Sequence, residues 1–268
     1  MPHDVTWFHL LLGKSYPKLE HAAAALSWPV NAEGKTWIGG EPIGIGHMLG
    51  AALAVLILLL VGLRVTPGLR DTQASLLPEA RLSLRTTVEI LVSATYGMMK
   101  DVMGDKAARF FLPLIGTCAL FILVSNLLGL VPGLVPPTDK LSTTLACSLV
   151  VFIATQVFGV VENGMNHFKH FLGPIRRWYA LPLMAMFLVL ELFSHVAVRP
   201  GSLAVRLMAN MTADHMVLGT FHSFSPYVAF VVPVLVYLLG TLVCVVQTLV
   251  FCLLSTTYIA MAISHEAH

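Results

Sequence analysis

Apolar residues along this 268-residue chain fall into long, nearly unbroken runs. They do not show the short alternations of a half-buried strand. A run of roughly 20 apolar residues is what a helix needs to cross a hydrocarbon core about 30 Å thick. Residues 1–45 are mixed in polarity and hold no full span. The pattern predicts a first span at about 47–65, centred on LAVLILLLVGL. A polar stretch follows to about 109, and within it TTVEILVSATYGMMKDVMG reads as an amphipathic helix at the membrane surface, part of a surface or cytoplasmic element over about 71–108. Further spans are predicted at about 110–131 and 142–162, joined by a Gly- and Pro-rich turn, LLGLVPGLVPPTD. Residues 165–179 form a basic, aromatic, Gly-Pro-containing interfacial loop. Two very long, mostly apolar stretches remain, at about 180–224 and 227–263. A helix of about 37 residues is some 55 Å long at 1.5 Å per residue. Both long helices are therefore expected to lie obliquely in the bilayer.

The fold class that follows is all-α: a polytopic membrane protein with about five apolar stretches. An outside-facing segment, 1–45, precedes a single membrane domain, 46–268. Composition agrees, because 11% of residues are charged, against about 25% in an ordinary soluble protein. That balance, with a formal net charge of +2, excludes a nucleic-acid binder and a soluble enzyme domain. The four cysteines all sit in apolar runs without metal-ligand spacing and read as small apolar fillers. Orientation comes from the loops. Arg64, Arg70, Arg81, Arg85, Lys100, Lys106 and Arg109 crowd the first connection, Lys140 stands alone in the second, and Lys169, Arg176 and Arg177 mark the third. The positive-inside rule makes the first and third connections cytoplasmic. It puts the N-terminus outside and the C-terminus inside.

Chemistry concentrates in the fourth stretch, MFLVLELFSHVAVRPGSLAVRLMANMTADHMVLGTF. Arg206 lies between SLAV and LMAN with no loop signal near it. An arginine at the centre of a membrane helix costs about 2.5–3.5 kcal/mol on insertion scales, and it cannot lose its proton to escape. Ser202, Arg206, Asn210 and Asp214 recur every four residues, which makes one polar stripe on a helix. Ala209 and Ala213 flank the stripe and leave room for another backbone. In the last stretch Gln247 and Tyr258 are eleven residues apart, about three turns, so they share a face. Simpler readings exist for each. Arg206 can pair with Asp214 or Glu191 as a structural bridge. Arg199, before Pro-Gly, can snorkel to headgroups. His195 and His215 can be packing residues, and Asn210 and Gln247 can bond neighbouring helices. His167 and His170 have i, i+3 spacing but sit in a Gly-Pro loop, a weak metal signal. The chain has no Gly-rich phosphate loop, HExxH or GxSxG pattern. No catalytic site, cofactor or metal of its own is expected.

Four segments, in order, resemble subunit a of F-type ATP synthases, the membrane stator subunit beside a rotating c-ring. SLAVRLMANMTADHMVLG resembles its most specific segment. FFLPLIGTCALFILVSNLLGLVPGLVPPTDKLSTTLA is similar to its second-span signature, NHFKHFLGP to its basic loop in bacterial members, and QTLVFCLLSTTYIAMAISHE to its C-terminus. The resemblance covers roughly residues 47–268. It implies that Arg206 is the family's essential arginine, with Ser202 and Asn210 one turn either side. It puts Gln247 opposite the arginine and Tyr258 near the C-terminus. Glu191 matches an upstream acid, at a spacing one residue longer than the family's. Asp214 and His215 depart from members that carry Gly-Glu here and a His on the last helix. This chain has Gly240 at that His position, so the titratable groups look exchanged between helices within one crevice.

The resemblance further implies two half-channels, partnership with c-ring subunits and b-type peripheral stalk subunits, and residence in a bacterial cytoplasmic (inner) membrane. Asp214, His215 and Glu191 would line the outside-facing half-channel. Two other readings compete: an ion-coupled secondary transporter with an arginine-based anion site, and a structural membrane scaffold.

Overall fold

The computed structural model describes residues 7–12, 15–20, 45–69, 83–131, 133–164, 186, 189–190, 193–194, 198–222 and 228–263. Among them every regular element is helical: α1 (Trp7–Leu12), α2 (Ile45–Leu69), α3 (Leu84–Met103), α4 (Asp105–Gly129), a 3-10 turn (Pro137–Asp139), α5 (Leu141–Asn163), α6 (Arg199–His222) and α7 (Val228–Ile263). The all-α, multi-pass membrane architecture expected from the hydrophobic pattern is the one observed. Helices α2, α4, α5 and α7 are long and apolar enough to cross a bilayer. The expected spans at 47–65, 110–131 and 142–162 coincide with α2, α4 and α5 to within a few residues.

Helix α6 differs from those four. It has 24 residues, enough for a crossing, but Arg199, Arg206, Asn210 and Asp214 keep it below the apolarity of the four membrane-length helices. The polar stripe that makes the segment interesting is also what dilutes it. Of the long stretch expected at 180–224, the described helix covers Arg199–His222. The basic loop with His167, His170, Trp178 and Tyr179 lies outside the described residues, as do Glu191 and His195.

The chain packs as two compact units. One draws on Met1–Thr86, Leu120–Lys140 and Met208–Val246, the other on Thr87–Ala119, Leu141–Leu207 and Gln247–His268. In the first, the α4–α5 connection folds inward. Thr138 Oγ1 donates to Asn126 Oδ1 at 2.8 Å, with both residues buried. His47 Nδ1 of α2 donates to the Pro136 carbonyl at 3.3 Å. A Cβ on Gly50 would come within 2.6 Å of the Val135 carbonyl oxygen, so only glycine allows α2 this close to the turn. Trp7 joins the same connection, its backbone N–H donating to the Gly133 carbonyl at 3.1 Å.

In the second unit, α3 turns into α4 at Gly104, whose φ of 79° is the left-handed conformation that glycine adopts without strain. The corner is tied by charge. Asp105 accepts from the Tyr96 hydroxyl and from Arg109 Nε at 3.0 Å, and Lys100 Nζ stands 3.7 Å away. Beyond it Phe110, Phe111 and Phe158 pack edge to face, with centroids 4.8 to 5.3 Å apart, in the geometry ring quadrupoles favour. Pro113 lies inside α4. Threonine hydroxyls serve the backbone next to it, Thr117 Oγ1 donating to the Pro113 carbonyl at 2.7 Å. Along α2, Val55, Leu56, Leu59, Leu60 and Leu63 are exposed. An apolar stripe of that length belongs against lipid tails.

Candidate functional site

Helix α6 carries the site, and its sides are distinct. Leu203, Ala204, Leu207 and Met211 are buried, whereas Val205, Arg206, Ala209 and Ala213 are exposed. The buried set repeats at helical spacing and anchors the helix to the protein. Arg206 projects from another side, with small alanines one and two turns along. Among the described residues no carboxylate forms an ion pair with Arg206; the ion pairs they contain are those of Asp105.

In the second unit Ser202 is half-buried and donates its hydroxyl to the Arg199 carbonyl at 3.1 Å. That is a local backbone bond of the kind serine makes within helices. Gln247 of α7 is 4% exposed, a burial uncommon for an amide unless it is hydrogen-bonded. Tyr258, three turns further along α7, is half-buried. The Arg199 guanidinium lies over its ring, 5.4 Å from the centroid, within cation–π range. The same two side chains line a small pocket with Ser148, Thr155, Gln156 and Leu203. Sequence spacing gave Arg199 no aromatic partner, since Tyr258 is 59 positions away in the chain.

In the first unit Asp214 is half-buried and meets α7 at Gly240. A Cβ built on Gly240 would lie 3.9 Å from Asp214 Oδ2 and 2.9 Å from Leu130 Cδ2. Leu130 thus closes against the glycine, and the carboxylate comes near it at the position where the family resemblance puts a histidine in other members. Asn210 is half-buried on the same helix. The backbone of His215 is helical, but its side chain lies outside the described residues. Thr212 Oγ1 donates to Asp139 Oδ1 at 2.7 Å, a contact between residues 73 apart in sequence. No local sequence signal points to it. Among the described residues no cluster of three or more His, Cys, Asp or Glu side chains could hold a metal ion. The second unit offers a fixed cation at Arg206 and a buried amide at Gln247, and the first a half-buried carboxylate at Asp214. Such groups bind and pass protons or steady a neighbouring charge.

Comparison with known proteins points the same way. Residues 48–260 match the family model described as ATP synthase A chain. The chain is 40% identical over 238 residues to "ATP synthase subunit a" of Sorangium cellulosum, covering 88% of this chain and 90% of that one. It is 42% identical over 222 residues to "ATP synthase subunit a 2" of Syntrophotalea carbinolica, covering 83% and 87%. It is 44% identical over 181 residues to "ATP synthase subunit a" of Trichlorobacter lovleyi, covering 68% and 74%. On these matches, and with its membrane-length helices, the chain belongs to the ATP synthase A chain family.

Proposed function

We propose that this chain is the proton-translocating stator subunit of an F-type ATP synthase, with Arg206 at the interface with a rotating c-ring and a half-channel on either side of it. The observation that carries the reading is the exposure of Arg206 beside Ala209 and Ala213, on a helix that buries Leu203, Ala204, Leu207 and Met211 on another side. A permanent cation held away from its own fold, flanked by small residues, suits a neighbour that comes close and brings negative charge.

The mechanism follows from electrostatics. A carboxyl group on each c-subunit is neutral when protonated and can face lipid as the ring turns. Opposite Arg206 its ionised form is favoured, because a nearby cation lowers a carboxylate's pKa. Protons therefore leave on one side of the arginine and are taken up on the other. The fixed charge opposes direct passage between the two half-channels. One charge crossing 100 mV releases about 2.3 kcal/mol, enough to bias rotation. Asp214, His215 and Glu191 serve the outside-facing half-channel as relay groups. Ser202, Asn210, Gln247 and Tyr258 complete the polar lining around the arginine. The histidine's ordinary pKa near 6.5 suits proton transfer at neutral pH.

The charge pattern of the loops supports an N-terminus outside and a C-terminus in the cytoplasm of a bacterial inner membrane. A b-type peripheral stalk would hold the subunit against the turning ring. The test is ATP-driven proton pumping by the assembled complex in membrane vesicles. Arg206→Ala is expected to abolish pumping while the complex still assembles. Coupled pumping at the wild-type rate in that variant would remove the arginine from the mechanism.

A further inference from the structure

Threonines in these helices mostly return their hydroxyl to the backbone. Thr220 in α6 donates to the Met216 carbonyl at 2.7 Å, Thr241 in α7 to the Tyr237 carbonyl at 2.8 Å, and Thr155 in α5 to the Val151 carbonyl at 2.8 Å. Thr212 departs from this habit and reaches Asp139 instead, at 2.7 Å. A threonine that gives up its local acceptor for a carboxylate on another element makes a tertiary, charge-assisted bond.

The element bearing Asp139 is itself immobilised within the first unit. Thr138 is bonded to Asn126 in the interior at 2.8 Å, and the Asp139 N–H donates to the Pro136 carbonyl at 3.3 Å. His47 Nδ1 holds that same carbonyl at 3.3 Å. Gly129 of α4 leaves no room for a Cβ, which would sit 2.8 Å from Pro136 Cβ and also overlap Met211 of α6. Met211 and Thr212 are thus held by the turn and by Gly129. Asp214, two residues on, lies about 200° further round the helix and faces Gly240.

We propose that Asp139 and Thr212 form a positioning pair that fixes the rotation of α6, so that Asp214 is presented to α7 at Gly240. Asp139 acts through hydrogen-bond acceptance and carries no proton along the path. The inference rests on the functional reading above and adds two residues to it.

Four single variants of the assembled complex in vesicles, and one double variant, test it, with ATP-driven pumping and amide hydrogen exchange over residues 208–222 as readouts. Thr212→Val keeps the shape and loses the donor. Its pumping is expected to fall by about tenfold or more, since small misplacements of a reacting group can cost about a hundredfold, and exchange in α6 is expected to rise. Thr212→Ser restores the hydroxyl and should restore both readouts. Asp139→Ala should match Thr212→Val, and the two changes combined should cost no more than the worse alone. Asp139→Asn keeps an acceptor oxygen without a titratable proton and should behave as wild type. Unchanged pumping and exchange in Thr212→Val would overturn the proposal. So would an Asp139→Asn variant as damaged as Asp139→Ala, since Asp139 would then be carrying protons. If Thr212→Val does not accumulate in membranes, the contrast between the two Asp139 variants decides. An Arg206→Ala complex that still pumps would remove the functional reading alone, leaving the exchange data to judge the pair.

Discussion

A guanidinium keeps its proton at any pH the cell reaches, so the charge of Arg206 does not depend on what stands opposite it. A lysine in its place keeps a positive charge only while its surroundings allow, and it lacks the planar fork that meets a carboxylate with two hydrogen bonds. Arg206→Lys is accordingly expected to pump at no more than about a tenth of the wild-type rate, measured in the same vesicles as Arg206→Ala. Pumping at the wild-type rate would mean that the side chain acts as a charge alone. Asp214 gives a second test at this scale. Asp214→Asn preserves size and hydrogen bonding but removes the exchangeable acid. It should slow proton entry and change how the rate responds to outside pH. If rate and pH profile both stay as in wild type, Asp214 is a structural residue. The spacing of Ser202, Arg206, Asn210 and Asp214 revealed the stripe, because four-residue recurrence is a property of sequence. The company of each member was hidden. Nothing local indicates that Gly240 stands beside Asp214, or that Arg199 covers Tyr258.

Helices and turns were legible to different degrees. The ends of α2, α4 and α5 follow from where apolar runs stop, since lipid rewards every apolar residue and no loop can remain in the hydrocarbon. The α4–α5 turn was legible as a turn from its glycines and prolines. Its inward fold, with Thr138 on Asn126 and Val135 against Gly50, was not, because it depends on contacts between residues distant in sequence, 12 positions apart in the first case and far more in the second. Gly50 is the sharpest probe of that packing. A methyl group there would meet a backbone oxygen at 2.6 Å, and backbone cannot swing aside as a side-chain end can. Gly50→Ala should destabilise the subunit by about 1–3 kcal/mol, the usual cost of overpacking, seen as a lower thermal midpoint of the purified complex and less subunit in the membrane. An unchanged midpoint would show that α2 and the turn can part without cost.

At the level of the whole molecule the excess length of α7 matters most. Its membrane-length portion, Val234–Ile263, has 30 residues, about 45 Å at 1.5 Å per residue, against a hydrocarbon core of about 30 Å. A straight helix keeping that portion inside the core must lean by about 45° from the membrane normal. Site-specific isotope-edited linear dichroism on aligned membranes should report such a tilt for α7, whereas a value of about 20°, the ordinary transmembrane average, would mean that part of the helix stands out of the bilayer. A leaning helix presents a long flank to a curved neighbour, and the exposed side of α6 with Arg206, Ala209 and Ala213 is where that neighbour is expected. The most direct measurement is therefore proximity. With Ala209→Cys in the assembled complex, paired with single cysteines along the c-subunit, oxidation should produce a cross-link between the two chains at the depth of the c-subunit's carboxylate. A cross-link that forms only from the buried side, through Leu203→Cys or Leu207→Cys, with none from Ala209→Cys, would contradict the account.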